Sequence, residues 1–352
     1  MGFVALILAL MAEQLRPLPR DNAVHRAAAA LAGSVARGTD AGTPRHGAIG
    51  WTLVVGGAVL AVLLAEAVLG AIHPILVLAL HVAVLYHTVG FRQFSHAFTE
   101  IQLALAANDP EGARQALQAW IRQRDPGFTV AELPVVELCR MAIAHALVAA
   151  HRHVFGPLFW YILLPGAIGP VLYRAAQFIA ERWAQGGHAR RGAGAIVPMD
   201  ASATPADAPT VPGEPYGEFA RRAYAWLDWL PVRFAAAGFA IVGNFEDAVY
   251  CWRAASAVRG GDSQRRVLLM TGGGALGLRI ADPRVEADVR GLEGAGAESD
   301  PAQAIGAAVG FDWNGTEPDA AGLRSAVGLV WRSVVLWVLL FAMLTIASWL
   351  GR

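Results

Sequence analysis

The chain has 352 residues, of which 55% are hydrophobic and only 16% are charged, whereas about 25% of the residues of an average soluble domain are charged. Its 28 basic and 28 acidic residues cancel, so no overall field would attract nucleic acid. The sequence contains no lysine, and neither Cys139 nor Cys251 belongs to a closely spaced cysteine pair, which excludes lysine catalysis and a zinc site built from cysteines. We therefore predict an integral membrane protein without a nucleic-acid partner.

The first segment, residues 1–47, begins with an apolar run that has neither a basic start nor a small-residue cleavage site. We interpret this run as retained and membrane-associated. A basic connection follows it, with the five arginines Arg16, Arg20, Arg26, Arg37 and Arg45. Because arginines are enriched in cytoplasmic loops, this connection is expected in the cytoplasm.

Residues 48–91 predict a transmembrane hairpin. The first half is apolar up to Ile72 with Glu66 as its only charge, and a spanning helix needs about 20 such residues. The second half begins at Pro74 and carries His81 and His87 but no Arg, Asp or Glu. Polar residues inside a span face the bundle interior or a cavity. Glu66 can therefore contact one of the two histidines across the hairpin, and a structural hydrogen bond is favoured over proton handling.

The middle of the chain alternates helical and interrupted segments. Residues 92–153 predict cytoplasmic soluble helices, one of them starting at Asn108-Asp109-Pro110. Residues 154–185 form an apolar segment that its prolines would bend or break. Residues 186–215 are rich in Gly, Ala and Pro, which predicts a flexible loop.

The C-terminal part, residues 216–324, contains an apolar run at 234–243 that is too short to cross a bilayer by itself and is expected to be re-entrant or interfacial. Residues 325–352 predict a C-terminal transmembrane anchor. Together these segments predict an all-α fold: a polytopic membrane helical bundle with broken or re-entrant helices and peripheral soluble helices.

General catalytic signatures are missing from the sequence, since it has no GxGxxG after a strand, no GxxxxGK[ST] loop, no HExxH and no GxSxG. His151 and His153 lie near the start of the broken segment, but a spacing of two residues places them on different faces of a helix. We therefore expect no metal site there.

Several motifs in chain order resemble the CobD/CbiB family of cobalamin-biosynthesis membrane proteins. They are NDPEGARQAL from Asn108, QRDP around Arg124, VELCRMAI from Val136, GPLFWYILLPGAIGPVLYRAAQF from Gly156, LPVRF from Leu230 and GGGALGLRI from Gly272. The family shows a GD-x-x-x-AR helix, an RD turn, an E-x-x-RA helix, PLF before a Gly-rich segment ending in YR, then IPARL and AGALG. The resemblance lies in the order of the motifs rather than in any single one.

The resemblance implies an amide-forming step in which aminopropanol phosphate is joined to a carboxylate of cobyric acid, with ATP and Mg²⁺ as cofactors if the ligase reading holds. Such chemistry needs arginines for phosphates and carboxylates for metal or amine activation. The matching charged positions imply Asp125 and Glu137 as catalytic residues. They imply the arginines Arg124, Arg140, Arg174 and Arg233 as substrate-binding residues.

The chain also departs from that pattern at several acidic positions. An EN-x-x-D cluster before PLF is replaced by residues 148–152, and Tyr224 and Ala225 replace the paired aspartates before IPARL, leaving Asp228 nearby. These features resemble AmpE, a divergent relative associated with β-lactamase induction, as do AEQL from Ala12 and LDWLPVRF from Leu227. Two functions stay open: the cobinamide ligase, or a non-catalytic AmpE-type sensor in cell-wall signalling.

Both functions imply a multi-pass protein of the cell inner membrane. Its expected partners are the lipid bilayer and a corrinoid or nucleotide ligand, and it could form an oligomer. A transporter remains a third interpretation, supported only by broken helices and polar residues inside the membrane.

Overall fold

The fold is all-α over the part of the chain that the computed structural model describes, namely residues 2–15, 23–40, 43–123, 133–193, 214–257, 262–280 and 315–351. Within these residues no strand forms, and the one β-bridge joins Leu278 to Thr316 in parallel. The chain divides into two compact units. Unit 1 comprises residues 1–88 and 157–228, and unit 2 comprises residues 89–156 and 229–352.

The described helices follow the apolar pattern of the sequence closely. In the first part of the chain they are α1 (Gly2–Leu15), α2 (Ala23–Thr39), α3 (Pro44–Trp51), α4 (Gly57–Ile72), α5 (Pro74–Thr88), α6 (Phe91–Ala106), α7 (Pro110–Arg122) and α8 (Val135–Ala150). They continue with α9 (Gly156–Leu163), α10 (Ile168–Ala193), α11 (Glu214–Val242), α12 (Phe245–Ala257), α13 (Ser263–Leu276) and α14 (Ala320–Leu350). Short π-helical turns, Thr52–Gly56 and His151–Phe155, join α3 to α4 and α8 to α9.

Among the described residues, three helices are long and apolar enough to cross a membrane: Arg45–Ile72, Tyr216–Val242 and Ala320–Leu350. The outer faces of α4, α5 and α14 are apolar and exposed, for example Val68, Ile75 and Leu339. Exposed apolar surface on this scale is unfavourable in water and is normal against lipid. Two of these helices, Arg45–Ile72 and Ala320–Leu350, coincide with the first arm of the expected hairpin and with the expected C-terminal anchor. The second arm of the hairpin is a shorter apolar helix of 15 residues, Pro74–Thr88.

Unit 1 is built around the hairpin of α4 and α5, which turns at His73, where the helical hydrogen bonding is interrupted by an extended backbone. Helix α1 packs against α5, and α10 packs against both arms of the hairpin. A second group of buried residues joins α2, the first π turn, α10 and the start of α11, with Trp183 and Tyr216 in ring contact at its centre. The Tyr216 hydroxyl bonds Thr39 Oγ1 at 2.7 Å.

Unit 2 is centred on α8, which is buried over most of its length and packs against α6, α7, α13 and α14. Helices α12 and α13 form a close pair, because Gly274 lets the backbones approach: a Cβ there would lie 2.6 Å from the Asp247 carbonyl oxygen.

Aspartates cap three helices of this unit. Asp109, Asp262 and Asp319 each accept a hydrogen bond from a backbone N–H in the first turn of α7, α13 and α14, which satisfies an otherwise unpaired donor.

Two segments differ in detail from the expectation. The apolar run at 234–243 is the C-terminal part of the 29-residue helix α11 rather than an isolated short piece. Pro231 lies inside this helix without ending it, although a proline removes a backbone donor and its ring crowds the preceding turn. The expected loop at 186–215 overlaps the end of α10 at Ala193, and residues 194–213 lie outside the described part of the chain.

Candidate functional site

Two of the predicted site residues, Glu137 and Arg140, lie together at the start of α8. Arg140 Nη1 donates to Glu137 Oε1 three residues earlier, and Arg140 Nη2 donates to Glu317 Oε2. Arg140 Nε donates to the carbonyl oxygen of Arg279 at 3.1 Å, and Arg279 Nη1 lies 3.8 Å from Glu317 Oε1. We call Glu137, Arg140, Arg279 and Glu317 the Arg140 cluster.

The backbone around Gly277 brings the distant members of this cluster to α8. Gly277 ends α13 in the left-handed conformation (φ 71°), which glycine adopts without strain. Thr316 N then donates to Gly277 O and Arg279 N donates to Thr316 O, each at 2.9 Å. These bonds fix Arg279 and Glu317 immediately before α14 begins.

The charges in the cluster balance, with two arginines facing two glutamates. The Arg140 side chain is 14% exposed, whereas that of Glu317 is 51% exposed, so one side of the cluster is open to solvent. Arg140 uses Nε and both Nη atoms on partners within the cluster. It therefore holds the other three residues in position, and an anionic ligand would have to replace a glutamate to reach its guanidinium.

A Mg²⁺ ion does not fit this arrangement as it stands. Both glutamates are already paired with the Arg140 guanidinium, so a Mg²⁺ ion bound to them would lie beside a cation that already balances their charge. Within the described ranges, no three His, Cys, Asp or Glu side chains come close enough to hold a metal ion. We therefore derive no chemical step through Mg²⁺ or a nucleotide.

Arg233 lies elsewhere in unit 2, on α11. Its guanidinium carbon lies 3.9 Å from the centroid of the Trp229 ring. Its Nη1 donates to the Trp229 carbonyl oxygen at 2.9 Å and to Gln264 Oε1 at 3.1 Å. These contacts join α11 to the first turn of α13, and a cation stacked on an indole ring is stabilised there.

Arg174 belongs to unit 1, near the start of α10. Its Nη1 donates to Gln177 Oε1 at 2.7 Å, and the Gln177 amide donates to Glu181 at 3.1 Å. The preceding residue, Tyr173, donates its hydroxyl proton to Asp228 Oδ1 at 2.8 Å and accepts a hydrogen bond from Tyr224 at 3.0 Å.

The remaining predicted residues, Arg124 and Asp125, lie outside the described part of the chain. In the structure Glu137 and Arg140 therefore contact each other, whereas Arg233 and Arg174 each bind other residues. Sequence reasoning missed Arg279 and Glu317 as members of the cluster. Arg279 stands inside the GGGALGLRI motif, which could have pointed to it, whereas no pattern in the sequence marks Glu317.

The polar residues of the hairpin form a second set of contacts, within unit 1. Glu66 Oε1 lies 2.9 Å from His81 Nε2, so the expected contact across the hairpin is confirmed with His81 as the partner. The same oxygen accepts a hydrogen bond from Ala167 N at 2.6 Å. Gly166 has φ 71°, and a Cβ at this position would lie 2.4 Å from Glu66 Oε1, so the break between α9 and α10 is shaped around the carboxylate.

Comparison with known proteins identifies the family. The family model described as CobD/Cbib protein matches residues 3–180, half of the chain. The chain belongs to the CobD/CbiB family. The matched region contains Glu66 and His81, the α8 members of the Arg140 cluster, and Arg174, whereas Arg233, Arg279 and Glu317 lie beyond it.

Two curated relatives carry the name "Cobalamin biosynthesis protein CobD". The protein from Chromobacterium violaceum is 29% identical over 232 residues, which is 64% of this chain and 64% of the length of that relative. The protein from Stutzerimonas stutzeri is 26% identical over 308 residues, which is 87% of this chain and 83% of that protein. No solved structure matches the chain. This chain is therefore a cobalamin-biosynthesis family membrane protein, and the CobD/CbiB resemblance of its motifs is confirmed.

Proposed function

We propose that this CobD/CbiB family chain acts in the cell inner membrane, which it crosses several times, and joins aminopropanol phosphate to a carboxylate of cobyric acid. Membership of the family carries this proposal, and the names of the two curated relatives support it. The expected lipid partner fits the three long apolar helices. The product of this step is an amide in the cobinamide branch.

The Arg140 cluster supports the proposal chemically because both substrates are anionic. Guanidinium groups bind phosphates and carboxylates through paired N–H donors. Arg279 and Glu317 form the more open side of the cluster, so a substrate phosphate or carboxylate could replace Glu317 on the two arginines.

In the proposed reaction, the amine nitrogen attacks the carbonyl carbon of an activated carboxylate. The C–N bond forms, the bond to the activating group breaks, and the ammonium proton passes to a base. Glu137 is the described candidate for this base, and Arg140 holds it in place. Asp125 and the substrate-binding roles of Arg124, Arg174 and Arg233 remain part of this proposal.

A non-catalytic AmpE-type sensor is the second candidate function. One observation favours it: Glu137, the catalytic candidate that the structure describes, is ion-paired with Arg140 three residues away. A charge-balanced network of this kind also serves to hold helices in place, without any chemistry. In that case the Arg140 cluster would transmit or stabilise a conformation of unit 2.

The full chain, purified in lipid and detergent, would be incubated with cobyric acid, aminopropanol phosphate, ATP and Mg²⁺. We expect mass spectrometry to detect the amide product, and the Chromobacterium violaceum relative would be assayed in parallel. Glu137→Gln and Arg279→Ala should lower product formation by more than tenfold, whereas Arg222→Ala, in an exposed pair with Glu218 on α11, should leave it unchanged.

A strain lacking this chain separates the two candidates. The ligase function predicts a new growth requirement for cobinamide and an unchanged response to β-lactams. The sensor function predicts the reverse, and amide formation by the relative but not by this chain would exclude the ligase.

A further inference from the structure

The Glu66–His81 site, which we define as Glu66, His81 and Tyr161, is a chain of hydrogen bonds inside the hairpin. Glu66 Oε1 lies 2.9 Å from His81 Nε2, and His81 Nδ1 lies 3.2 Å from the Tyr161 oxygen. Tyr161 in turn lies 3.0 Å from the carbonyl oxygen of Gly2, the first residue of α1. The proposed ligase chemistry uses none of these groups.

The number of protons in this series of hydrogen bonds follows from the groups at its two ends, the Gly2 carbonyl and the Glu66 carboxylate. A carbonyl oxygen can only accept, so Tyr161 donates its single proton to Gly2. The Tyr161 oxygen must then accept a hydrogen bond, which requires a proton on His81 Nδ1. A neutral imidazole with a proton on Nδ1 has a bare lone pair on Nε2. That lone pair would face a carboxylate oxygen at 2.9 Å, so a further proton must lie between Nε2 and Oε1.

The alternative arrangement, without the extra proton, has one hydrogen bond fewer. Tyr161 would rotate its hydroxyl proton toward His81 Nδ1, and His81 would carry its proton on Nε2 and donate it to the Glu66 carboxylate. Tyr161 could then no longer donate to Gly2. The two arrangements differ by one proton at the pair and by one hydrogen bond to α1.

We propose that the Glu66–His81 pair is a proton-binding site and that proton binding attaches the start of α1 to Tyr161. With the proton bound, the pair carries no net charge, which suits the apolar residues of α4 and α5 around it. Loss of the proton leaves one negative charge on Glu66. Ala167 N still donates to that carboxylate at the start of α10, so the site keeps its place in the fold while α1 is released.

Other titratable or charged groups are present on the elements that pack against this site. They include Glu13 of α1, His73, Tyr86 and His87 of the hairpin, and Tyr173, Arg174, Glu181 and Arg182 of α10. His87 is exposed on the same helix as His81 and provides a matched control. Glu13 is buried, so a Glu13→Gln variant tests whether that carboxyl group accounts for any proton uptake.

The state of His81 can be read directly by ¹⁵N NMR of histidine-labelled full-length protein in lipid nanodiscs. The His81 signal is assigned by its loss in His81→Asn, with His87→Asn as the control. We expect two protonation states in the pH series, one with a proton on Nδ1 and one without it. A proton found on Nε2 alone at every pH would overturn the proposal.

Hydrogen exchange of the α1 amides, corrected for the intrinsic pH dependence of exchange, tests the coupling to α1. In the wild type we expect protection of the first turns of α1 to fall as His81 loses its Nδ1 proton. Glu66→Gln keeps an oxygen to accept from Ala167 N and from a proton on His81 Nε2, but it lacks the carboxylate charge that stabilises the second proton on His81. Protection of its α1 should therefore be lost at a lower pH than in the wild type. Tyr161→Phe should remove that protection at every pH.

His87→Asn and Glu13→Gln should behave like the wild type. The same pH-dependent loss of protection in Glu66→Gln as in the wild type would contradict the proposal, as would an α1 whose exchange is unaffected by Tyr161→Phe. These readouts do not involve corrinoid synthesis, so their outcome is independent of the ligase test.

Discussion

The Glu66–His81 site and the Arg140 cluster are both groups of polar and charged side chains in contact, but the chain assembles them differently. Glu66 and His81 come from consecutive helices joined at His73, and their partner Tyr161 completes the set. Arg140 instead finds Arg279 and Glu317, which are 139 and 177 residues away in sequence. Partners on adjacent helices follow from helical register, whereas partners this distant depend on the whole fold of unit 2.

The two groups also differ in their access to water. The side chains of His81 and Glu66 are 11% and 18% exposed, in a hairpin whose outer faces are apolar. Glu137 and Glu317 in the Arg140 cluster are 32% and 51% exposed. Under our proposal, a bound proton removes the net charge of the first group in its apolar setting, whereas ion pairing balances the charges of the second group at a more exposed position.

Cys139, next to Arg140, offers the largest measurable effect. Burial, with a smaller contribution from the Asp319 carboxylate, raises the pKa of the Cys139 thiol from 9.0 to about 11. The reactive form is the thiolate, so below pH 9 we expect folded protein to react with a maleimide at least about a hundredfold more slowly than the unfolded chain. The pKa contribution to this difference should vanish above pH 11, and quantitative mass spectrometry of the labelled peptide measures it.

Cys251 serves as an internal control for that measurement, because burial raises the pKa of its thiol to about 12. Arg140→Ala should accelerate labelling of Cys139 and leave Cys251 slow. Equal acceleration at both cysteines would indicate general unfolding of unit 2 rather than local loss of the Arg140 cluster.

Arg140→Ala is also expected to lower the free energy of unfolding substantially. It leaves two glutamates and the Arg279 carbonyl without their donor, at a cost of about 2–3 kcal/mol after allowance for the exposure of the glutamates. Denaturant unfolding in mild detergent, followed by near-UV circular dichroism, measures the change. Arg222→Ala removes an exposed i,i+4 pair and should cost less than about 0.5 kcal/mol; similar losses in both variants would deny the cluster a structural role.

Glu66→Leu tests the hairpin side of the comparison. The substitution removes the acceptor of the Ala167 N–H and the partner of His81, and we expect a loss of about 1–2 kcal/mol. Glu66→Gln keeps an acceptor at this position and should cost less than half as much in the same unfolding experiment. If leucine were tolerated as well as glutamine, the carboxylate would not be needed to form the break before α10.

Arg233→Ala is expected to have the smallest effect of the four, about 0.5–1 kcal/mol, because its contacts with Trp229 and Gln264 are partly exposed. Arg233→Lys keeps the charge but not the planar stacking, so it should recover only part of the loss. Full recovery by lysine would show that charge alone matters at this position.

Much of the helical pattern could be predicted, because it depends on local sequence. Asn108-Asp109-Pro110 does start α7, with Asp109 capping Gly112 N at 2.8 Å, since aspartate and proline favour a helix start wherever they occur. The apolar run at 234–243 was harder to place. The run belongs to α11 only because the helix continues through Pro231. Tertiary packing, rather than local helix propensity, decides whether a helix continues through a proline.

By itself, the sequence determined the membrane character, the helices, the Glu66 contact across the hairpin and the family resemblance, because each depends on apolar length, helical register or motif order. Only the tertiary structure decided that Arg140 binds Glu317 and the Arg279 carbonyl, that Gly166 makes room for Glu66, and that Tyr161 connects His81 to α1. These contacts join segments far apart in the chain, and no local pattern encodes which distant backbone carbonyl or carboxylate a buried donor will meet.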